Sequence, residues 1–82
     1  MFYTYILYSE TFDRFYIGQT NNLENRILRH NNGYVKSTKP YKPWIIVYSK
    51  TFETRKESMN HETSLKKLKS KAKIIKLVDT SR

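Results

Sequence analysis

Apolar and polar positions divide the chain into short elements. Residues 2–8, Phe-Tyr-Thr-Tyr-Ile-Leu-Tyr, are aromatic and β-branched, a composition that favours a strand. Polar Ser9 to Asp13 reads as a turn, and Arg14 to Gln19 is strand-like again. Two strands joined so closely predict an antiparallel hairpin. Asn21-Asn22-Leu23-Glu24 has the pattern of a capping box, with the Asn21 side chain accepting from the third helical amide and Glu24 reaching back. A helix from about Asn22 to His30 follows, with Leu23 and Ile27 as its apolar stripe and Asn32-Gly33 as its stop. Residues 33–43 form a basic, polar loop. Trp44 to Tyr48 is the most apolar run, and its β-branching predicts a buried central strand. Thr54-Arg55-Lys56-Glu57 is a second capping box. It opens a helix to about Lys69 whose Met59, Leu65 and Leu68 point to the core. Lys71 to Val78, with Ile74, Ile75, Leu77 and Val78 at helical spacing, predicts a short terminal helix. The predicted order is β-β-α-β-α-α. It implies an α/β (α+β) arrangement of three strands with helices packed on them, in one domain over residues 1–82.

Charge adds a class of partner. Sixteen Lys and Arg against seven Asp and Glu give a net charge of +9. That potential attracts polyanions, and nucleic acid is the expected one, because phosphate neutralisation releases counterions. An anionic membrane is a weaker rival, since no single basic amphipathic helix dominates and no apolar run approaches the ~20 residues that span a bilayer. The first residues do not read as a signal peptide. The absence of cysteine suits a reducing cytoplasm, which is the expected location.

Candidate chemistry is spread along the chain. Tyr5 and Tyr16 lie on paired strands, where two phenols can converge on one patch. Gly18, closing the triplet Tyr16-Ile17-Gly18, lets a backbone or ligand approach closely. Arg26 and His30, at i, i+4, project from one helix face beside the Leu23/Ile27 stripe. A guanidinium matches a phosphate, and a neutral imidazole can carry a proton. Glu62 falls on the inward stripe of its helix with Met59 and Leu65, away from the lysines. An inward carboxylate needs a cation: Lys66 or Arg26, or a Mg²⁺ ion that takes one or two carboxylates plus waters and phosphate oxygens. Lys66, Lys69 and Lys73, in a C-terminal stretch rich in lysine, can follow a phosphate backbone. Lys36, Lys39 and Lys42, with Tyr34 and Tyr41 for stacking on unpaired bases, add a second basic region.

The ordered set Tyr5, Tyr16-Ile17-Gly18, Arg26, His30 and Glu62 resembles the GIY-YIG nuclease superfamily, most closely its small UPF0213-like members. The likeness runs from about Phe2 to Val78. Tyr3-Thr4-Tyr5 stands for the first motif, with Tyr3 and Thr4 in place of its first two residues. Lys69 and Ser70 stand where excision-repair members carry an asparagine. The resemblance implies the GIY-YIG fold, a three-stranded antiparallel-type sheet flanked by helices. It implies endonucleolytic hydrolysis of DNA with one Mg²⁺ or Mn²⁺ on Glu62. Tyr5 or Tyr16 would position or deprotonate water, Arg26 would neutralise the transition state, and His30 would assist proton transfer. Two other readings stay open: a nucleic-acid-binding module that keeps the fold without catalysis, and a subunit whose charge recruits an acidic partner.

Overall fold

The three strands predicted from the pattern are present, but a different one lies at the centre. The computed structural model describes residues 1–81, so Arg82 of the predicted domain lies outside the described residues. Strands β1 (Phe2–Ser9), β2 (Arg14–Thr20) and β3 (Ile45–Phe52) form an antiparallel sheet in the order β2-β1-β3. Helix α1 (Leu23–Asn31) separates β2 from β3, and α2 (Arg55–Lys66) and α3 (Lys71–Thr80) follow β3. The order is β-β-α-β-α-α, as the pattern predicted.

The run Trp44 to Tyr48 was expected to be the buried central strand; that expectation is corrected. β3 begins after Trp44 and is an edge, with Ile45 53% exposed and Ile46 also exposed. β1 is central because it pairs with both β2 and β3; both its faces are also covered, and Thr4, Tyr5, Ile6 and Leu7 are each at most 1% exposed. Burial on both faces removes the alternation by which a half-buried strand is recognised. Trp44 is buried, but as a plug just before β3 rather than within it. Tyr48 stands opposite Ile6 and Ile46 opposite Leu7, so Val47 is the extra residue of a β-bulge. Val47 and Tyr48 consequently both pack on the Ile6 side.

Helices cover both faces. On one, Tyr5, Leu7 and Trp44 form a core with Tyr16, Tyr41 and the predicted stripe of α1, Leu23 and Ile27. On the other, Ile6 packs with Leu65 of α2 and Val78 of α3, joined by Phe15, Ile17, Leu68, Ile74 and Leu77.

The caps are partly shifted. Asn22, not Asn21, caps α1, and its side chain accepts from the Asn25 amide at 3.0 Å. Glu24 is thereby one residue too early to close a box, and it contributes instead a negative charge in the first turn. The Thr54–Glu57 box forms as expected. α2 ends at Lys66 rather than Lys69, because Lys69 takes a positive φ of 50° and Ser70 caps α3. Met59 is exposed, not in the core; the inward stripe of α2 is Ser58, His61, Glu62 and Leu65. Ser58 takes Met59's expected place, with its carbonyl accepting from Thr4 Oγ1 at 2.7 Å.

Candidate active site

The hairpin register brings the two phenols together. Tyr5 stands opposite Gly18 and Leu7 opposite Tyr16, so both tyrosines lie on the face that α1 covers. Their ring centroids are 6.4 Å apart. A Cβ on Gly18 would meet the Tyr5 hydroxyl oxygen at 2.5 Å and a ring carbon at 2.7 Å. Glycine here is therefore a requirement of the Tyr5 ring, which occupies the volume a side chain would take.

His30, in the last turn of α1, is fully buried and stands against both rings, 6.1 Å from Tyr5 and 4.9 Å from Tyr16 by centroid. Its Nε2 lies 3.2 Å from the Tyr5 hydroxyl and its Nδ1 2.8 Å from Thr38 Oγ1. Thr38 donates its hydroxyl proton to the Val35 carbonyl at 3.3 Å. The Thr38 oxygen can then accept from Nδ1–H, which leaves Nε2 as the acceptor for the Tyr5 proton. Burial, followed by the charges of Arg26 and Arg29, lowers the His30 pKa from 6.5 to about 4. The imidazole is thus neutral near pH 7, with Nε2 free to accept the Tyr5 hydrogen bond.

The support for this chain lies in residues that the sequence pattern did not single out. Asn31 clamps Trp44: its Oδ1 accepts from the Trp44 amide at 2.6 Å, and its Nδ2 donates to the Trp44 carbonyl at 3.0 Å. The Trp44 indole in turn donates to the Thr38 carbonyl at 3.0 Å. The loop between α1 and β3 is held at both ends, so Thr38 is fixed against His30. A threonine in a basic loop has no periodicity to mark it, and only the fold shows its role.

α1 and α2 pack on opposite sheet faces; the charges of Arg26 and Glu62 are nevertheless both felt at the Tyr5 hydroxyl, that of Arg26 more strongly. Burial raises the Tyr5 pKa well above the usual tyrosine range, and the Tyr16 phenol adds to that rise. Arg26 opposes it by its positive charge, and the negative charge of Glu62 adds a smaller push upward. The Glu62 side chain is 21% exposed, and its Oε2 lies 3.6 Å from Lys66 Nζ one turn along the helix. Among the described residues no group of three or more His, Cys, Asp or Glu could hold a metal. The donor set suits a hard ion bound by one carboxylate, with water and phosphate completing the shell. Gln19, opposite Thr4 on the face covered by α2, also has a buried side-chain oxygen without a hydrogen-bond partner among the described residues.

The basic residues are less concentrated. Lys36, Lys39, Lys42, Lys66, Lys69 and Lys73 are all exposed. Lys39 and Lys42 converge on Gly33, whose φ of 79° turns the chain out of α1. Lys66, Lys69 and Lys73 belong to the α2–α3 side and are not gathered with the loop lysines. Tyr34 is exposed, whereas Tyr41 is half-buried beneath Arg14. No helix among the described residues is long and apolar enough to cross a membrane.

Known proteins resemble this chain over most of its length. The GIY-YIG catalytic domain family matches residues 1–75. The UPF0213 protein CPE1444 of Clostridium perfringens is 41% identical over 75 residues, covering 90% of this chain and 80% of the relative. A UPF0213 protein of Enterococcus faecalis is 36% identical over 75 residues, covering 87% and 83%. The solution NMR structure of the UPF0213 protein BH0048 from Bacillus halodurans superimposes with a TM-score of 0.60 at 32% identity, covering 98% of this chain and 85% of that one.

Proposed function

Because the chain belongs to the GIY-YIG catalytic-domain family, a nuclease family, we propose that it is an endonuclease that hydrolyses DNA phosphodiester bonds with one divalent ion, Mg²⁺ or Mn²⁺, held by Glu62. The observation that supports this reading is the meeting of Tyr5, Tyr16 and His30 on one face of the sheet, with the charge of Arg26 and, more weakly, that of Glu62 felt at the Tyr5 hydroxyl.

The Tyr5 phenolate is inaccessible at neutral pH, since burial holds its pKa high. A relay avoids that charge. The attacking water gives a proton to the Tyr5 oxygen while the Tyr5 proton passes to His30 Nε2, 3.2 Å away. The bond from water oxygen to phosphorus forms as the bond to the leaving sugar oxygen breaks; that oxygen takes up a proton from solvent, and His30, a weak base at pKa about 4, returns its proton through Tyr5 to solvent. Arg26 stands where negative charge grows and stabilises it, a preorganised term that usually outweighs others. Tyr16, less buried than Tyr5, donates to a phosphate oxygen. Thr38 and the Asn31–Trp44 clamp keep the imidazole in the receiving tautomer. The ion on Glu62 would supply Lewis-acid stabilisation of the scissile phosphate and the leaving oxygen.

Incubation of supercoiled plasmid with purified protein tests the proposal. The expected result is nicking that needs Mg²⁺ or Mn²⁺, stops with chelator and is lost in Glu62→Gln. Equal behaviour of wild type and Glu62→Gln on plasmid, single-stranded DNA and RNA would rule it out. One observation favours a second reading, a binding module without catalysis: Lys66 already supplies Glu62 with a cation. Nucleic-acid binding that survives chelation, without cleavage, would select it.

A further inference from the structure

A cavity of about 180 Å³ opens beside the Tyr5–His30 pair, lined by Arg14, Tyr16, Ser37, Thr38, Tyr41 and Trp44 among others. It is smaller than the ~300–1,000 Å³ of pockets for drug-sized ligands, so it has room for a ring system but not for a whole nucleotide. Its walls are aromatic and held in place. Tyr16 and Trp44 meet edge to face at 6.4 Å. Tyr41 and Phe12 meet at near right angles with ring centroids 5.4 Å apart, and the Tyr41 carbonyl accepts from Ser9 Oγ at 2.6 Å. The Arg14 guanidinium lies 4.2 Å above the Tyr41 ring.

Aromatic walls under a guanidinium suit a flat, electron-rich ring with hydrogen-bonding edges: they stack on its face and donate to its rim. A phosphate gains nothing from three aromatic walls, and an alkyl chain gains nothing from Arg14. Position narrows the choice. Tyr16 belongs to both the cavity and the phenol pair, and Thr38 lines the cavity while bonding His30 at 2.8 Å. An occupant is thus one side chain away from the phosphate site. We propose that the cavity receives one nucleobase, turned out of its stack, from the nucleotide adjoining the phosphate at Tyr5 and Arg26. The inference rests on the nucleic-acid reading of that site. The same chemistry serves an unpaired base of a single strand or a base extruded from a duplex.

The test uses oligonucleotides carrying 2-aminopurine at successive positions, single-stranded and duplex, with Glu62→Gln protein and chelator so that nothing is cut. Anisotropy reports whether nucleic acid binds, and 2-aminopurine fluorescence reports whether one base enters a distinct environment. The expected result is a fluorescence change confined to one position. It is kept by Tyr41→Phe and lost in Tyr41→Leu, with affinity weakened by about 5- to 150-fold, the loss of one stacked base. Arg14→Gln, at an exposed position, should reduce the same signal and covers the case of a Tyr41→Leu protein that does not fold. A signal in the single strand alone identifies an unpaired base, and an equal signal in duplex identifies extrusion. Binding with the same response at every position, or a response indifferent to both variants, overturns the cavity and leaves the nuclease reading standing. A confined, Tyr41-dependent signal from a protein that never cuts keeps the cavity and removes the nuclease. Absence of binding overturns both.

Discussion

The chain carries two tyrosine–histidine pairs, one on each face of its sheet, and they differ in what surrounds them. Tyr48 and His61 make the shorter hydrogen bond, 2.8 Å against 3.2 Å for Tyr5 and His30. Both histidines have lowered pKa values and both tyrosines raised ones, burial being the main cause in every case. The resemblance ends there. Tyr5 and His30 are buried, whereas Tyr48 and His61 are half-buried. His30 has a second partner in Thr38, an arginine at its side and a second phenol against its ring. His61 packs on Phe52 and feels Lys50. A hydrogen bond between a phenol and an imidazole is therefore common chemistry. A second hydrogen-bond partner, a neighbouring guanidinium charge and a second phenol set the Tyr5–His30 pair apart, and these are what the proposed phosphate chemistry rests on.

Single substitutions separate the pairs. Tyr5→Phe is expected to slow cleavage by about 10²–10⁴-fold, the range of a lost proton carrier. Tyr48→Phe should leave the rate within experimental error. Equal losses from both, measured as kcat on the same plasmid, would erase the distinction. Arg26→Gln follows, with an expected loss of about 10²–10³-fold, mainly in kcat, since it removes charge stabilisation of the transition state.

Acid should separate them next. Folded His30 stays neutral down to pH about 4, while an unfolded histidine protonates near 6.5. Between those values the unfolded chain binds more protons, so stability is complete above pH 6.5 and falls by about 3 kcal/mol as pH approaches 4. Chemical denaturation across this range should show a slope that flattens in His30→Gln. His61→Gln should flatten it less, being less buried. The reverse ranking would place the stronger burial on the wrong face.

Smaller effects test packing. Gly18→Ala should destabilise by about 1–3 kcal/mol, because the new methyl group must displace the Tyr5 ring. Activity should fall with it. A variant that is stable and fully active would show that Tyr5 need not lie over Gly18. Tyr48→Phe should lower stability by only about 1 kcal/mol, the net worth of one hydrogen bond.

The contrast also shows why some of the site could be seen along the chain. Tyr16-Ile17-Gly18, Arg26 and His30 sit at short, regular separations, where strand alternation and helical spacing dictate which side chains share a face. Glu62 was found for a partly mistaken reason: Met59, its supposed neighbour on the stripe, is 47% exposed, and Ser58 faces inward instead. A helical wheel places a residue to within one position of the true stripe, which sufficed for Glu62 and failed for Met59. Trp44 to Tyr48 was misplaced because hydrophobic content alone does not tell a central strand from an edge. β1 became central by pairing with both neighbours, and pairing is a property of distant segments.

Local physics, then, was written into the residues themselves: strand, turn and helix by composition and period, the Thr54 cap by its own box, the positive field by counting. What the chain could not announce was which segments meet. Thr38 against His30, Asn31 around Trp44 and the cavity beneath Arg14 all join residues that no short-range period relates. Such contacts exist because burying apolar surface on both sheet faces brings helices and loops to fixed places, and side chains carried there acquire neighbours that they did not select.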